Sequence, residues 1–281
     1  MNVRSLRMIL WSGLLVASVG RIEPLLAQAL PKVPPAHVVL VIMENHAPSQ
    51  IIGSVAAPYI NGLASQGAYF TQSFAVSHPS QPNYLALFSG STHRVTDDRC
   101  PLTYRTQNLA QQLIAGHKSF VGYSEGLPST GFTGCTSAGG YARKHAPWVN
   151  FPKLPATVNQ PFASFPSADF NQLPTVAFVV PSLADDMHDG TVGAGDAWLK
   201  ANIDDYVQWA MSNNSLLIVT WDEDDGREGN HIATIFVGPM VKSGRYERRT
   251  THFDVLRTIE ALAGLAPIGE ARAASTILDI W

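Results

Sequence analysis

Short apolar runs rich in β-branched residues alternate along most of the chain with segments whose apolar residues recur at helical spacing. The runs typical of buried strands are residues 37–43, 68–76, 119–124, 175–181, 215–221 and 232–238. Helical spacing marks residues 59–67, 83–90, 108–116, 196–214 and 253–265. Because strands that are apolar on both faces need cover on both sides, the pattern predicts an α/β fold whose mostly parallel central sheet is flanked by helices on both faces.

Residues 126–173 interrupt this alternation. They are rich in Gly, Pro, Ser and Asn and show no sustained periodicity, so we expect a long irregular insertion. Loops of this length often form the lid or wall of a functional site. A short basic cluster at residues 245–249 is expected to be a solvated loop.

The N-terminus has the organisation of a secretory signal peptide. An apolar run at residues 8–19 follows two arginines and precedes an A-x-A cleavage signature that ends at Ala29. This run is shorter than the ~20 residues that span a bilayer, and an uncleaved anchor is the alternative. We therefore predict a signal peptide at residues 1–29 and a single domain at residues 30–281. The mature protein would be secreted or periplasmic, with no stable membrane anchor.

Composition and charge exclude some classes of function. The net charge is −3 and the pI is near 6.3, so the sequence does not supply the concentrated basic surface that binds nucleic acid. A chain of 281 residues, 46% of them hydrophobic, can bury one substantial core, and we expect a monomer. In an oxidising compartment, Cys100 and Cys135 should form a disulfide rather than stay as free thiols. No spacing of His or Asp suggests that they bind zinc.

Polar side chains with catalytic or metal-binding chemistry follow several predicted strands. The carboxyl ends of parallel strands meet at one edge of a sheet, where ligands bind. Carboxylate and amide oxygens at that edge suit one divalent cation such as Mg, Ca or Mn, and could suit Zn. The candidate ligands are Glu44, Asn45, Asp222 and Glu223. Alternatively, these acidic residues cap helices or pair with arginine.

Ser80 stands just before Pro82 at the start of a predicted helix. The local pattern favours a helix N-cap. A serine there also faces free backbone N–H groups and the positive end of the helix dipole, where phosphate is stabilised. Coordination to a cation would lower the pKa of its hydroxyl and make it a nucleophile. Asn83, one turn later, could donate a hydrogen bond to a phosphoryl oxygen.

Three histidines lie at the boundaries of predicted elements rather than inside an apolar face. They are His78, His188 and His252. Each alone could be structural, but together they could bind a phosphate and supply an acid for the leaving group. With a reference pKa of ~6.5 they would be cationic in mildly acidic solution, which favours an anionic substrate.

Several longer motifs occur in a fixed order along the chain. They are MENH (43–46), SHPSQPNYLALFSG (77–90), YARKHAPWVNF (141–151), PSLADDMHDG (181–190), TWDEDDG (220–226), HIATIFVGP (231–239) and THFDVLRTIEALAGL (251–265). Together they resemble the bacterial phosphoesterase family that contains phosphatidylcholine-type phospholipases C and secreted acid phosphatases. The positions of both cysteines match as well. The resemblance covers nearly all of the chain after residue 29, and it implies an alkaline-phosphatase-like fold.

The resemblance also implies roles for individual residues. The implied metal ligands are Glu44, Asn45, Ser80, Asp222 and Glu223. Ser80 would be the nucleophile, because Pro82 and Asn83 complete the superfamily pattern of nucleophile, any residue, Pro and Asn. The histidines implied to contact phosphate, or to stand in for a second metal, are His78, His188 and His252.

These observations predict a secreted acid phosphatase that hydrolyses phosphate monoesters through a phosphoserine intermediate at a metal-assisted site. Its substrate would be a small phosphorylated molecule or a phosphoinositide headgroup. The nearest alternative is a phospholipase C-type phosphodiesterase, and a secreted protein that only binds a cation is another. A serine esterase is the third, because residues 122–126 read G-x-S-x-G and Ser124, Asp222 and His252 follow in α/β-hydrolase order. Residues 127–131, however, disfavour the helix that must follow such a serine.

Overall fold

The structure is a computed structural model that describes Met1 and residues 29–281. The predicted signal peptide lies outside the described residues except at its two ends. Within the described part of the chain, no helix combines the length and hydrophobicity needed to cross a membrane.

The described residues form one eight-stranded sheet that is mostly parallel, as predicted. Its strands are β1 Val38–Met43, β2 Ala68–Phe74, β3 Phe120–Ser124, β4 Asn159–Pro161, β5 Val176–Val180, β6 Leu216–Trp221, β7 His231–Val237 and β8 Gly244–Thr251. They lie in the order β4-β3-β5-β1-β6-β7-β2-β8. Strand β7 is antiparallel to both of its neighbours, and the other pairs are parallel.

Helices cover both faces of this sheet, which confirms the predicted layers. They are α1 Pro48–Ile51, α2 Pro58–Gln66, α3 Ser80–Ser89, α4 Leu109–Ala115, α5 Val192–Ser212 and α6 His252–Leu262. Every residue of β1 is buried. Because side chains alternate along a strand, Val38, Leu40 and Ile42 pack with α3, α4 and α6. The residues between them pack with α2 and α5 on the opposite face.

The prediction of a solvated loop at residues 245–249 is wrong. These residues belong to β8, which pairs with β2 and forms one edge of the sheet. Arg245 and Arg249 are exposed and lie over the rings of Tyr69 and Phe74, at 5.2 and 4.1 Å from the ring centroids. Charged side chains are common on edge strands, and the sequence pattern of such a strand resembles that of a polar loop.

The insertion is irregular, as predicted, apart from short 3₁₀ turns and β4. A disulfide joins Cys100 to Cys135 with their Cα atoms 5.8 Å apart, which confirms the predicted bridge. The buried Arg143 holds the insertion by donating to the Asn150 side chain and to the backbone carbonyl oxygens of Thr133 and Leu102. Together these links fix the position of the segment that follows Arg143.

Candidate active site

Ser80 is the first residue of α3, and it is almost completely buried. The expectation that it is the N-cap is wrong, because Pro79 holds that position and no side chain caps the helix. The Ser80 Oγ atom instead lies 3.1 Å from Glu44 Oε2 and 3.2 Å from Glu223 Oε1. The hydroxyl therefore faces two carboxylates at the N-terminus of the helix.

Adjacent strands bring these carboxylates together. Glu44 follows β1, and Asp222 follows β6, which pairs with β1 so that Met43 lies opposite Trp221. The backbone N–H of Asn45 donates to Asp222 Oδ1 at 3.1 Å. Asn45 has a φ of 55°, a left-handed conformation that asparagine adopts more readily than most residues. The structure thus brings together Glu44 and Asp222, which the sequence places at strand ends on one edge of the sheet.

Burial makes the ionised form of the acidic cluster unfavourable. Glu44 and Asp222 are fully buried, and Glu223 is 5% exposed. Burial raises the pKa of Glu44 and Asp222 well above their usual range, and neighbouring carboxylates raise both further. Burial also raises the pKa of Glu223 to about 7. Each carboxylate therefore loses solvation that a bound cation would replace.

The donor set fits a divalent cation. Asp222 Oδ2 is buried and has no hydrogen-bond partner among the described residues. Tyr84 donates to Glu44 Oε1 at 2.6 Å, which orients that carboxylate and leaves its Oε2 atom toward Ser80. Hard oxygen atoms from separate strand ends are what Mg, Ca or Mn requires.

His78 lies on the solvent side of the cluster, with its side chain 44% exposed. Its Nδ1 atom is 2.7 Å from Glu223 Oε2, and its Nε2 atom is 3.1 Å from Asp224 Oδ1. Asp224 also accepts backbone N–H groups from Gly226, Glu228 and Asn230. The loop after β6 is therefore folded around Asp224, which fixes the ring of His78 beside Glu223.

His252 is buried behind the acidic cluster rather than exposed to a substrate. Its Nε2 atom lies 2.7 Å from the backbone carbonyl oxygen of Asp222, which accepts its hydrogen bond. Burial lowers the pKa of His252 to about 4. The expectation that this histidine is cationic in mildly acidic solution is therefore wrong, and its contact is with the backbone of Asp222.

Asn83 is likewise directed at the backbone. Its Oδ1 atom accepts from the N–H groups of Val76 and Ser77 at 3.0 and 3.1 Å, and its Nδ2 atom donates to the Ser77 carbonyl oxygen at 2.8 Å. The amide expected to bind a phosphoryl oxygen is thus engaged with the loop before Ser80. This arrangement fixes the path of the chain into α3.

His188 lies on the other side of Glu44, together with a histidine that the sequence reasoning missed. His145, from the insertion, stacks on Tyr84 and places its Nε2 atom 3.1 Å from Glu44 Oε1. Glu44, His145 and His188 each offer one ligand atom, all within 4.8 Å of one another, and could hold a metal ion. The YARKHAPWVNF motif contains His145 and was the sequence feature that could have identified it as a site residue. No predicted strand ends just before it, so the strand-end argument did not find it.

The structure does not support the serine-esterase alternative. Ser124 ends β3, and the order of the sheet places β5 and β1 between β3 and β6. At ~4.8 Å between neighbouring strands, this separates Ser124 from Asp222 by about 14 Å. A turn rather than a helix follows Ser124. Ser124, Asp222 and His252 therefore do not form a triad.

The chain is similar in sequence to proteins that are named as phosphatases. The chain matches the Phosphoesterase family over residues 54–266. It is 47% identical over 277 residues to the phosphatidylinositol-3-phosphatase of Mycobacterium tuberculosis, an alignment that covers 97% of this chain and 92% of that protein. It is 30% identical over 239 residues to an acid phosphatase of Aspergillus fumigatus, which covers 78% of this chain. The alignment spans 53% of the fungal protein, about half of its length.

Solved structures show the fold. A lipoteichoic acid synthase from Listeria monocytogenes superposes with a TM-score of 0.62 at 12% identity, covering 87% of this chain and 76% of that chain. A protein of the alkaline phosphatase superfamily from Vibrio parahaemolyticus superposes with a TM-score of 0.58 at 14% identity, covering 86% and 69%. The chain therefore has the alkaline-phosphatase-like fold that its motifs predicted, belongs to the Phosphoesterase family, and is a hydrolase of phosphate esters.

Proposed function

We propose that the protein is a secreted acid phosphatase that hydrolyses phosphate monoesters through a phosphoserine on Ser80. The observation that carries this proposal is the hydroxyl of Ser80, which lies within 3.2 Å of both Glu44 and Glu223 at the N-terminus of α3. Carboxylates at this distance can accept the proton of a serine nucleophile. The helix N-terminus favours the negative charge of the phosphoryl group.

The reaction has two displacements at phosphorus. In the first, Ser80 Oγ forms a bond to phosphorus, its proton passes to Glu223, and the ester P–O bond breaks with its electron pair on the leaving oxygen. The leaving oxygen takes a proton from His78, the half-exposed histidine beside Glu223. In the second, His78 takes a proton from the attacking water, the water oxygen forms a bond to phosphorus, and the P–Oγ bond breaks. The proton held by Glu223 returns to Ser80 Oγ as inorganic phosphate leaves.

A divalent cation, when bound, would lower the pKa of the Ser80 hydroxyl and neutralise charge on the phosphoryl oxygens. The residues that would hold it are Glu44, Asn45, Asp222, Glu223 and Ser80. The missing hydrogen-bond partner of Asp222 Oδ2 among the described residues supports this assignment. His252 would hold the backbone at Asp222. The two ring nitrogens of His188 are engaged by Asp189 and Lys144, so we assign this histidine no contact with the phosphate.

Two further features support the assignment of compartment and substrate class. The disulfide between Cys100 and Cys135 is typical of an exported protein, in agreement with the predicted signal peptide at residues 1–29. The name of the mycobacterial relative supports phosphorylated small molecules, including a phosphoinositide headgroup, as substrates.

The test is a panel of phosphate monoesters and diesters assayed on the purified mature protein, with and without a chelator. Ser80→Ala should abolish phosphatase activity, whereas Ser124→Ala, a matched change of another buried serine, should retain it. Mass spectrometry of acid-quenched enzyme should find phosphate on the peptide that contains Ser80. A diester preference, or an active Ser80→Ala variant, would contradict the proposal.

A further inference from the structure

A lysine of the insertion approaches the candidate active site, and the mechanism above does not use it. The Lys144 side chain is 17% exposed. Its Nζ atom lies 2.8 Å from Asp98 Oδ2 and 3.2 Å from His188 Nε2. Because His188 Nδ1 lies 2.8 Å from the Asp189 carboxylate and donates to it, His188 Nε2 accepts a hydrogen from the ammonium group.

These contacts leave one N–H of the ammonium group available. A lysine ammonium has three donors. Asp98 and His188 take two of them, and the described residues provide no further hydrogen-bond acceptor for the third. The lysine is therefore held in one position while one donor stays available to a ligand oxygen.

Asp98 aligns this lysine with the nucleophile. While Asp98 Oδ2 holds Lys144, Asp98 Oδ1 accepts the backbone N–H of Gln81 at 3.0 Å. Gln81 directly follows Ser80 in the first turn of α3. One carboxylate thus connects the lysine to the helix N-terminus at which the phosphoryl group would be bound.

The charge of Lys144 acts on the acidic cluster. Burial raises the pKa of Glu44 and of Glu223, and the Lys144 charge opposes that rise in both. His188, which touches Lys144, offers a ligand atom within 4.8 Å of those of His145 and Glu44. Glu44 in turn contacts Ser80. The ammonium group is therefore within the electrostatic reach of the site.

We infer that Lys144 binds a non-bridging oxygen of the phosphoryl group and thereby makes the enzyme prefer monoesters to diesters. A monoester dianion carries one more negative charge than a diester monoanion, and that charge would face a cluster of carboxylates. A fixed ammonium group offsets this repulsion more for the dianion. The inference rests on the proposed function and names the residue that selects the substrate class.

A purely structural role for Lys144 is the competing explanation. Its ion pair with Asp98 joins the insertion to the segment after α3. The disulfide between Cys100 and Cys135 already joins the same two segments, and the Arg143 N–H donates to the Cys135 carbonyl oxygen at 2.9 Å. The insertion therefore has links to that segment other than the ion pair.

The test compares Lys144→Met with wild type on a monoester and a diester that share one aryl leaving group. Loss of a charged hydrogen bond should lower kcat/KM for the monoester about 10- to 100-fold. The diester should change less than about 3-fold, and the inhibition constant of inorganic phosphate should rise by the same factor as the monoester loss. Lys144→Arg should restore most of the selectivity. Lys153→Met, an exposed lysine of the same insertion, is the matched control and should behave as wild type.

An equal loss of kcat/KM on both substrates together with a lower Tm would overturn the inference and indicate a structural role. An unchanged ratio of the two kcat/KM values without any loss of Tm would also overturn it. Lys144→Gln is the second neutral variant if Lys144→Met does not fold, and the same selectivity loss is expected. Failure of the inference is distinguishable from failure of the proposed function, because Ser80→Ala tests the nucleophile alone. If Ser80→Ala is inactive but Lys144→Met keeps the wild-type preference for monoesters, the inference fails and the phosphatase assignment stands.

Discussion

The buried carboxyl groups predict that the protein without a bound cation loses stability as the pH rises above neutrality. A further buried carboxyl group, that of Asp186, places its Oδ2 atom 3.4 Å from His145 Nδ1. Burial raises the pKa of Glu223 from 4.5 to about 7 and that of Asp186 from 3.8 to about 7. The pKa values of Glu44 and Asp222 move in the same direction. The folded chain therefore holds these protons more tightly than the unfolded chain. Their stabilising effect is complete below pH ~4 and is lost as the pH rises through the folded pKa values.

Two buried histidines determine the pH range in which the effect of the carboxyl groups can be measured. Burial lowers the pKa of His252 from 6.5 to about 4 and that of His145 well below its usual range. Both groups favour unfolding below pH 6.5, which opposes the carboxyl effect there. Between pH 6.5 and 8 the carboxyl groups dominate. Deprotonation of Glu223 and of Asp186 should each lower the free energy of unfolding by about 1 kcal/mol at most, after allowance for solvent screening at Glu223. For a domain of this size, the combined loss of about 2 kcal/mol lowers Tm by about 4 to 8 °C at most.

Thermal unfolding in chelator at constant ionic strength, at several pH values from 6.5 to 8, measures this effect. Addition of Mg, Ca, Mn or Zn should raise Tm, and more strongly at pH 8, because cations compete with protons for the same oxygens. Glu223→Gln should flatten the profile. A Tm that stays constant or rises over this range in chelator would refute the reasoning, and a lack of response to every cation would remove the proposed metal site.

Two further predictions concern single side chains. His252→Ala removes the donor to the Asp222 carbonyl oxygen and should weaken divalent-cation affinity about 10-fold; titration calorimetry measures it, and unchanged affinity would contradict the assigned contact. Gly122→Ala would place a Cβ atom 2.2 Å from the Trp148 indole, and should cost about 1 to 3 kcal/mol of stability by overpacking. Denaturant unfolding tests this, with kcat per folded molecule expected to match wild type because Gly122 lies in β3, away from Ser80.

The ends of the strands could be predicted from the sequence, and with them most of the acidic cluster. The continuous apolar runs of β1 and β6 identify two strands that are buried on both faces. The sequence places the residues after these strands at one edge of the sheet, and the pairing of β1 with β6 in the structure then sets Glu44 beside Asp222. Local sequence also located the start of α3, but not the exact cap. Whether Ser80 or Pro79 precedes the first helical residue depends on the path of the chain fixed by Asn83.

Residues of the insertion could not be placed in the same way. His145 and Lys144 follow no strand and have no periodic pattern, so nothing local determines which way they face. Their positions depend on a disulfide and on the hydrogen bonds of Arg143 to distant backbone carbonyl groups. Such long-range links do not appear in hydrophobic spacing. The same reason explains why residues 245–249 were predicted as a loop. Their arginines are typical of a solvated segment, and the pairing of β8 with β2 is a long-range contact.

The sheet and the insertion thus contribute different chemistry to the proposed site. Strand ends provide Glu44, Asp222 and Glu223, and α3 provides Ser80. The insertion provides His145, whose Nε2 atom contacts Glu44 from outside the sheet, and Lys144, whose Nζ atom contacts His188. If Ser80 and the carboxylates suffice for transfer to serine, changes in the insertion should alter which phosphate esters are accepted before they abolish phosphoserine formation. Substrate preference would then evolve in the insertion while the strand ends stay constant, because a loop tolerates substitution better than a buried, register-fixed strand end does.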